Sequence, residues 1–191
     1  TRTVRDSALL LDLTCRPQLG DPYWLEPPER PYLEAARSSP GVLRIAYTPK
    51  NLLGHEIAPE CAAAAEEAAK LCQALGHVVE DVEVPGEFPM QDFWTAVAAA
   101  ACGTLDGEVQ RRGRPISAGE IEPSTLALYE LGKSISGSDL VLALRNVNTW
   151  SRRFARWLSD YDVVLNSTMG DTALQIGELQ GLSPERRAER V

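Results

Sequence analysis

A strand, a long helix and a second strand follow one another with short joints, and this succession constrains the fold more than any other feature. The runs VLRIAYT (42–48) and HVVEDVEVP (77–85) predict strands, the first β-branched and aromatic, the second partly alternating. Between them IAPECAAAAEEAAKLCQALG predicts a helix, with Pro59 in its first turn, Glu66 and Lys70 at i,i+4 spacing and Gly76 at its stop. Strands joined in this way form a right-handed βαβ unit on a parallel sheet.

The rest of the chain is mostly helical in pattern. Thr3-x-x-Asp6 has the form of a capping box at the start of a first helix. Further helices are predicted over 32–38, 90–112, 122–134 and 136–160, a third strand over YDVVLN (161–166), and a last helix in SPERRAERV. The predicted core face of the long 136–160 helix comprises Leu140, Leu144, Val147, Phe154, Trp157 and Leu158. The fold class is therefore α/β, helix-rich with a small, mostly parallel sheet.

Composition excludes several functions. The net charge of −8 disfavours nucleic acid, whose phosphates attract clustered Lys and Arg. The cluster of Arg111, Arg112 and Arg114 is interpreted as a solvated helix end. No apolar run is long enough for a membrane span, which needs about 18 residues. The sparse cysteines, without a C-x-x-C pair, fit a reducing compartment, so a cytoplasmic location is expected.

No reaction can be assigned from residue spacing alone. The histidines, His55 and His77, lie far apart and the cysteines lack a histidine at ligand spacing, so no metal site and no cofactor are predicted. A serine nucleophile needs a base and an oxyanion hole. The chain has neither a G-x-S-x-G elbow nor a Gly-Gly-Ser run, and SISGSD (134–139) is better explained as a joint and cap between two helices.

Several segments, in collinear order, carry a family resemblance. They are TRTVRDSALLLD at the start, GDPY (20–23), LRIAYT, ALGHVVEDVEVP and RRFARWLSDYDVVLNSTMGDTALQIGEL. Together they resemble the part of amidase-signature hydrolases that follows the Gly/Ser-rich signature. The stretch LYELGKSISGSD is similar to the branch that hydrolyses cyclic dimers of nylon oligomers. The resemblance covers nearly the whole chain.

The resemblance implies amide hydrolysis by a Ser nucleophile, a second Ser linked by a cis peptide, and a Lys base. None of these three matches a position in this chain, so no catalytic residue is assigned here. Thr1 is expected to begin just past the catalytic residues and Val191 to stop before the family's closing strands. The isolated chain is expected to be inactive and to be the part that covers a small amide substrate.

On this interpretation 1–191 is one partial domain. It comprises leading helices and a loop (1–40), a βαβ unit (41–85), a helical cover (86–161) and a strand with a truncated end (162–191). The unpaired sheet edge of such a fragment invites association, so a homodimer is a possible state. The alternative is a non-catalytic α/β binding or interaction module derived from an amidase.

The candidate substrate-binding residues are Trp94, Cys102, Asn166 and Thr168. Trp94 and Cys102 fall on one face of the predicted 90–112 helix, where an aromatic followed by small residues can leave a groove. In the family, the helical cover and the end of the third strand approach the pocket. Asn166 and Thr168 supply an amide and a hydroxyl for hydrogen bonds, although Asn166-Ser167-Thr168 stands where the family usually reads Thr-Pro-Thr. The alternative for the helix face is close packing against a neighbouring element.

Overall fold

A computed structural model describes residues 1–52, 57–117 and 119–178. The chain divides into two compact units, Thr1–Leu43 and Arg44–Val191, which are treated separately below. The predicted helix in SPERRAERV and the residue His55 lie outside the described residues.

The first unit contains two helices, α1 (Val4–Thr14) and α2 (Tyr32–Ala35). The Thr3 hydroxyl accepts a hydrogen bond from the Asp6 backbone N–H at 3.1 Å, which is the threonine half of the predicted capping box. The Asp12 carboxylate accepts from the backbone N–H groups of Tyr32 at 2.6 Å and Leu33 at 3.0 Å. A side chain of α1 thus satisfies the first N–H groups of α2, which have no partner within a helix. The second helix is shorter than the predicted 32–38.

The second unit begins with the predicted βαβ unit. Strands β1 (Arg44–Tyr47) and β2 (Val78–Asp81) flank helix α3 (Pro59–Ala74). Strand β3 (Val163–Leu165) pairs with the other side of β1, so the sheet order is β2-β1-β3 and both pairings are parallel. The structure thereby confirms a helix-rich α/β fold with a small parallel sheet.

Helix α3 covers one face of this sheet. Tyr47 of β1 is buried against Ala65 and Ala69 of α3, and Val79 and Leu165 of the neighbouring strands pack around them. The small residues of α3 let the helix approach the sheet closely, which explains the Ala-rich sequence better than helix propensity alone.

Arg44, the first residue of β1, contacts both neighbouring strands. Its backbone N–H donates to the Asp162 carboxylate at 2.7 Å, and its guanidinium donates to both Glu80 oxygens, at 2.6 and 3.1 Å. It also donates to the Asp160 carbonyl at 2.8 Å and lies 4.9 Å from the centre of the Tyr161 ring. The bidentate contact lowers the pKa of Glu80. These contacts fix the register of the sheet.

Three helices form the remainder: α4 (Met90–Arg112), α5 (Pro123–Lys133) and α6 (Gly137–Leu158). Helix α4 packs against both α5 and α6. Ser136 and Asp139 form a complete capping box at the start of α6, as the Ser-x-x-Asp spacing predicts.

The core face predicted for α6 is wrong at Leu144, which is 45% exposed. Ala143, 2% exposed, occupies the interior position instead. Alanine lets two helices approach closely, and one residue along a helix turns the side chain by about 100°, so Leu144 is carried towards solvent.

A chain of aromatic contacts begins at Phe88, before α4, follows α6 and ends at Tyr161, just beyond α6. Phe88 meets Trp150 edge to face at 5.0 Å, and Trp150 stacks on Phe154 at 5.1 Å. Trp157 follows at 5.3 Å and Tyr161 at 5.6 Å. Such contacts add to the stability that burial alone provides. They join the helical cover to the amino edge of the sheet.

Candidate active-site edge

The carboxyl ends of the three parallel strands define the candidate site. Strand β1 connects through α3 to β2 on one side, whereas β3 lies on the other side, so the direction of connection reverses between β1 and β3. In open α/β sheets, ligands bind outside the carboxyl ends of the strands at such a reversal. The residues that follow β1 and β3, from Thr48 and from Asn166, meet at this point.

Thr48 joins the two strands at this edge. It is 3% exposed, and its backbone N–H donates to the Leu165 carbonyl at 3.1 Å. Its hydroxyl donates to the Lys50 carbonyl at 3.3 Å. Buried polar groups of this kind are satisfied locally, so Thr48 shapes the edge and holds the segment after β1 in place.

The segment after β3 is held by its own hydrogen bonds. The Asn166 side-chain amide donates to the Ser167 carbonyl at 3.0 Å, and the Ser167 hydroxyl donates to the Met169 carbonyl at 2.7 Å. The Gly170 carbonyl accepts from the Ala58 N–H at 2.8 Å, just before α3. Asn166 is half-buried and Thr168 is exposed. Two of the predicted site residues therefore stand at the carboxyl edge in an ordered loop, although the prolines usual in the family are missing.

A cavity of about 310 Å³ lies beside this edge, between the ends of β1 and β2. It is lined by Thr48, Pro49, Lys50, Asn51, Asp81, Val82, Glu83, Val84 and Gly86. Its polar side chains carry both signs of charge. None of the four predicted site residues belongs to this lining.

Trp94 and Cys102 lie apart from the sheet edge, on α4. Trp94 is 45% exposed, and its ring meets that of Phe93 at 5.7 Å. Cys102 is half-buried and faces α5, where a Cβ added at Gly132 would come within 2.6 Å of the Cys102 Cβ. At Cys102 this face of α4 therefore lies close to α5.

An acidic residue one turn along α4 organises this contact. The Cys102 thiol donates to the Asp106 carboxylate at 3.6 Å, and the Tyr129 hydroxyl donates to the other Asp106 oxygen at 2.7 Å. Burial, followed by the charge of Asp106, raises the pKa of Cys102. A thiol with a raised pKa stays protonated at neutral pH and is a poor nucleophile.

The predicted residues therefore form two pairs. Asn166 and Thr168 share one loop at the sheet edge, while Trp94 and Cys102 stand two turns apart on α4. In the part of the chain that the structure describes, no hydrogen bond, ion pair or ring contact joins the two pairs. Sequence reasoning missed Thr48 at the edge and the Asp106–Tyr129 contact. Thr48 was recognisable, because it directly follows the first strand of the βαβ unit.

The basic cluster at the end of α4 is not an anion site. Arg111 and Arg112 both donate to the Glu108 carboxylate, at 2.5–2.7 Å, and Arg114 donates to Glu120 at 2.7 and 3.0 Å. The arginines hold the pKa of Glu108 at about 2 and that of Glu120 well below its ordinary value. All three arginines are paired, which agrees with the interpretation as a helix end.

The described residues also bear on metal binding and on membrane insertion. No group of three or more His, Cys, Asp or Glu side chains there could hold a metal ion. Within the same residues, none of the helices has the length and apolarity to cross a bilayer.

Comparison with known proteins assigns this arrangement to a family. The chain matches the family described as Amidase over residues 1–189. Relatives described as 6-aminohexanoate-cyclic-dimer hydrolase, from Pseudomonas sp. (strain NK87) and Paenarthrobacter ureafaciens, are each 28% identical over 183 residues. Each alignment covers 93% of this chain and 37% of the relative.

A solved structure gives the same result. A structure of 6-aminohexanoate cyclic dimer hydrolase superposes with a TM-score of 0.85 and 27% identity, covering 96% of this chain and 40% of that one. This chain thus spans well under half the length of the relatives it matches. The match across residues 1–189, with the shared fold, confirms the resemblance and shows that this chain belongs to the amidase family.

Proposed function

We propose that this chain is the substrate-covering part of an amidase that hydrolyses a carboxylic amide of a small molecule, linear or cyclic. The observation that carries the proposal is the structural match to a cyclic-dimer hydrolase over 96% of the chain. The catalytic Ser, second Ser and Lys implied by the family resemblance match no position here. Chemistry therefore belongs to a part of the amidase that these residues do not represent, and this chain contributes shape and hydrogen bonds to the pocket.

Within this proposal the carboxyl edge orients the amide. The side-chain carbonyl oxygen of Asn166 is a hydrogen-bond acceptor, and the bond to the Ser167 carbonyl uses the NH₂ group instead. The exposed hydroxyl of Thr168 is a donor and an acceptor on the same loop. An amide substrate presents one N–H and one carbonyl, which these two side chains complement.

The α4 residues supply the apolar part of the proposed pocket. The exposed ring of Trp94 offers a face for an aliphatic or aromatic chain. Cys102, held protonated by its surroundings, acts as a wall and not as a nucleophile.

A segment exchange tests the proposal. This chain replaces the matching segment of the Pseudomonas sp. (strain NK87) relative, and hydrolysis of the 6-aminohexanoate cyclic dimer and of simple linear amides is measured. We expect turnover, with Cys102→Leu raising KM or changing the preferred amide while kcat on the best substrate changes little. Cys72→Leu, at another half-buried cysteine on α3, is the matched control and should leave the substrate preference unchanged.

Two outcomes would contradict this assignment. If the relative that carries this chain folds but hydrolyses no amide, the proposal that this segment serves an amidase is refuted. Identical kinetics for Cys102→Leu and the control across several amides would place Cys102 in the core and outside the pocket.

The isolated chain should hydrolyse no amide. In subtilisin, removal of all three catalytic residues lowers kcat by about 10⁶. A chain without the catalytic Ser, second Ser and Lys should lose activity to a similar degree. A coupled assay of the purified chain with an aryl amide checks this, with the intact relative as positive control. If amide hydrolysis stays with the chain through successive purification steps, the proposal that the catalytic residues lie outside this chain is refuted.

Location and assembly complete the proposal. We propose a cytoplasmic protein, because the four cysteines are all free thiols in the structure. A homodimer is proposed as the state of the isolated chain at high concentration, through its incompletely paired sheet.

A further inference from the structure

We propose that the cavity between the ends of β1 and β2 binds the alkylammonium group of a linear amine. The inference rests on the proposed function for the origin of such an amine, because hydrolysis of an amide releases an amine and a carboxylate. The binding itself is argued from the cavity alone. Since none of the four substrate-binding residues proposed above lines this cavity, it is a separate site.

Backbone hydrogen bonds hold both sides of the cavity. On the β2 side, the Val82 N–H donates to the Tyr47 carbonyl at 2.8 Å, which extends the β1–β2 pairing beyond Asp81. On the β1 side, the buried Thr48 hydroxyl donates to the Lys50 carbonyl at 3.3 Å. The cavity is therefore framed by hydrogen-bonded backbone. Its volume of about 310 Å³ falls at the lower end of the range for small-molecule pockets, which is about 300–1,000 Å³.

Side chains along the β2 side of the cavity alternate between two chemistries. Asp81 and Glu83 are exposed, whereas Val82 and Val84 are half-buried, and all four line the cavity. Successive side chains of an extended segment point to opposite faces, so the carboxylates form a rim and the valines an apolar floor. An apolar floor below an acidic rim complements a ligand with a hydrocarbon chain and a cationic end.

The electrostatics of the cavity favour a cation. Among the described residues, neither Asp81 nor Glu83 forms an ion pair or a hydrogen bond through its carboxylate. Glu80, in contrast, is bound by the Arg44 guanidinium. The described lining carries these two carboxylates and one ammonium, that of Lys50, so its net charge is negative. The net charge of −8 of the whole chain also attracts cations.

An alkylammonium ion fits this rim better than a metal ion does. An alkylamine is protonated at neutral pH, because its pKa lies near that of lysine, about 10.4. A calcium ion takes about 6–8 oxygen ligands. No group of three or more His, Cys, Asp or Glu side chains in the described ranges could hold a metal ion.

An NMR titration of the full chain tests the proposal. Hexylamine is the probe at neutral pH, and hexanol, which has the same hydrocarbon chain without the charge, is the ligand control. We expect hexylamine to shift the amide signals of Val82 and Val84 in a saturable way, and hexanol to bind more weakly. Asp81→Asn combined with Glu83→Gln should weaken hexylamine binding about three- to tenfold, as the loss of two exposed ion pairs would.

A second double variant controls for net charge. Glu60→Gln combined with Glu67→Gln removes two exposed carboxylates of α3, which do not line the cavity, and should change the affinity by less than about twofold because of screening. Circular dichroism verifies that both variants fold. The proposal is overturned if hexylamine causes no saturable shift, if hexanol binds equally well, or if the two double variants weaken binding to the same degree.

Kinetics of the Pseudomonas sp. (strain NK87) relative carrying this chain distinguish the two sources of the amine. A lower KM for 6-aminohexanamide than for hexanamide, abolished by Asp81→Asn with Glu83→Gln, identifies the free amino group of a substrate. Inhibition by hexylamine that the same substitutions relieve identifies the released amine. Turnover with neither effect refutes the link between the cavity and the reaction. Because the titration does not measure hydrolysis, failure of the amidase proposal is distinguishable from failure of the ammonium site.

Discussion

Replacing Gly132 with alanine should destabilise the helical cover, although alanine is the better helix former. A Cβ at Gly132 would overlap the Ala98 carbonyl oxygen and come within 2.6 Å of the Cys102 Cβ. The Ala98 obstacle is backbone of a facing helix, so α4 and α5 must move apart. Propensity favours alanine by about 1 kcal/mol, while overpacking costs about 1–3 kcal/mol and sometimes more when backbone must shift. Because the obstacle here is backbone, the overpacking cost should fall at the upper end of that range, about 2–3 kcal/mol, and the net loss of stability is then roughly 1–2 kcal/mol.

The matched control lies on α4 itself. A Cβ at Gly103 meets nothing within 4 Å, so Gly103→Ala should stabilise the protein through the higher helix propensity of alanine, without any overpacking. Thermal unfolding followed by circular dichroism measures both variants. At about 2–4 °C per kcal/mol for a chain of this size, we expect Gly132→Ala to lower Tm by roughly 2–8 °C and Gly103→Ala to raise it by a few degrees. A Gly132→Ala protein as stable as Gly103→Ala would refute the close helix contact.

Three further predictions concern polar contacts of the second unit. Tyr129→Phe removes the 2.7 Å hydrogen bond from the hydroxyl to the Asp106 carboxylate and should lower the free energy of unfolding in urea by about 1–2 kcal/mol. Tyr23→Phe is the control, because Tyr23 is 92% exposed and its substitution should change that free energy little. Ser136→Ala removes the α6 capping box and should cost about 1 kcal/mol, against almost nothing for exposed Ser151→Ala within the helix. The arginines hold the folded-state pKa of Glu108 at about 2, below its ordinary value of 4.5, so its stabilising effect is present above pH 4.5 and lost towards pH 2. The Tm difference between wild type and Glu108→Gln should therefore narrow over that acid range.

Equal stability of Tyr129→Phe and its control would mean that the hydroxyl is bonded to water instead. A Ser136→Ala protein with unchanged stability would show that α6 is held by packing alone. If the Tm difference between wild type and Glu108→Gln is as large at pH 2 as at neutral pH, the stabilisation by Glu108 does not come from its charge.

The fold was largely predictable because its strongest signals are local. Periodicity, Pro59 at a helix start and Gly76 at a helix stop placed the first strand and the helix of the βαβ unit within two residues, whereas the second strand ends at Asp81, short of the predicted 77–85. Ser136 and Asp139 placed the start of α6 in the same way. The choice between Ala143 and Leu144 as the interior residue of α6 was not local, because it depends on how closely α4 approaches.

The candidate site was predictable only in part. The loop of Asn166 and Thr168 was placed by the end of a recognisable strand, and the structure puts it at the carboxyl edge. The close contact at Cys102 was not predictable. It depends on Gly132 of α5, 30 residues later in the chain, lying opposite Cys102 of α4. Contacts between elements far apart in sequence leave no periodic signal in either one.

The pairing of β1 with β3 has a consequence for the order of folding. Arg44 and Asp162, joined by a hydrogen bond, are 118 residues apart. Closing so long a loop is slow, since non-local pairings carry their entropic cost before their contacts form. During synthesis β1, α3 and β2 can assemble while β3 is still unmade, at about 5–20 residues per second. For several seconds the edge of β1 that later pairs with β3 has no neighbour, and an unpaired strand edge of this kind is prone to aggregation.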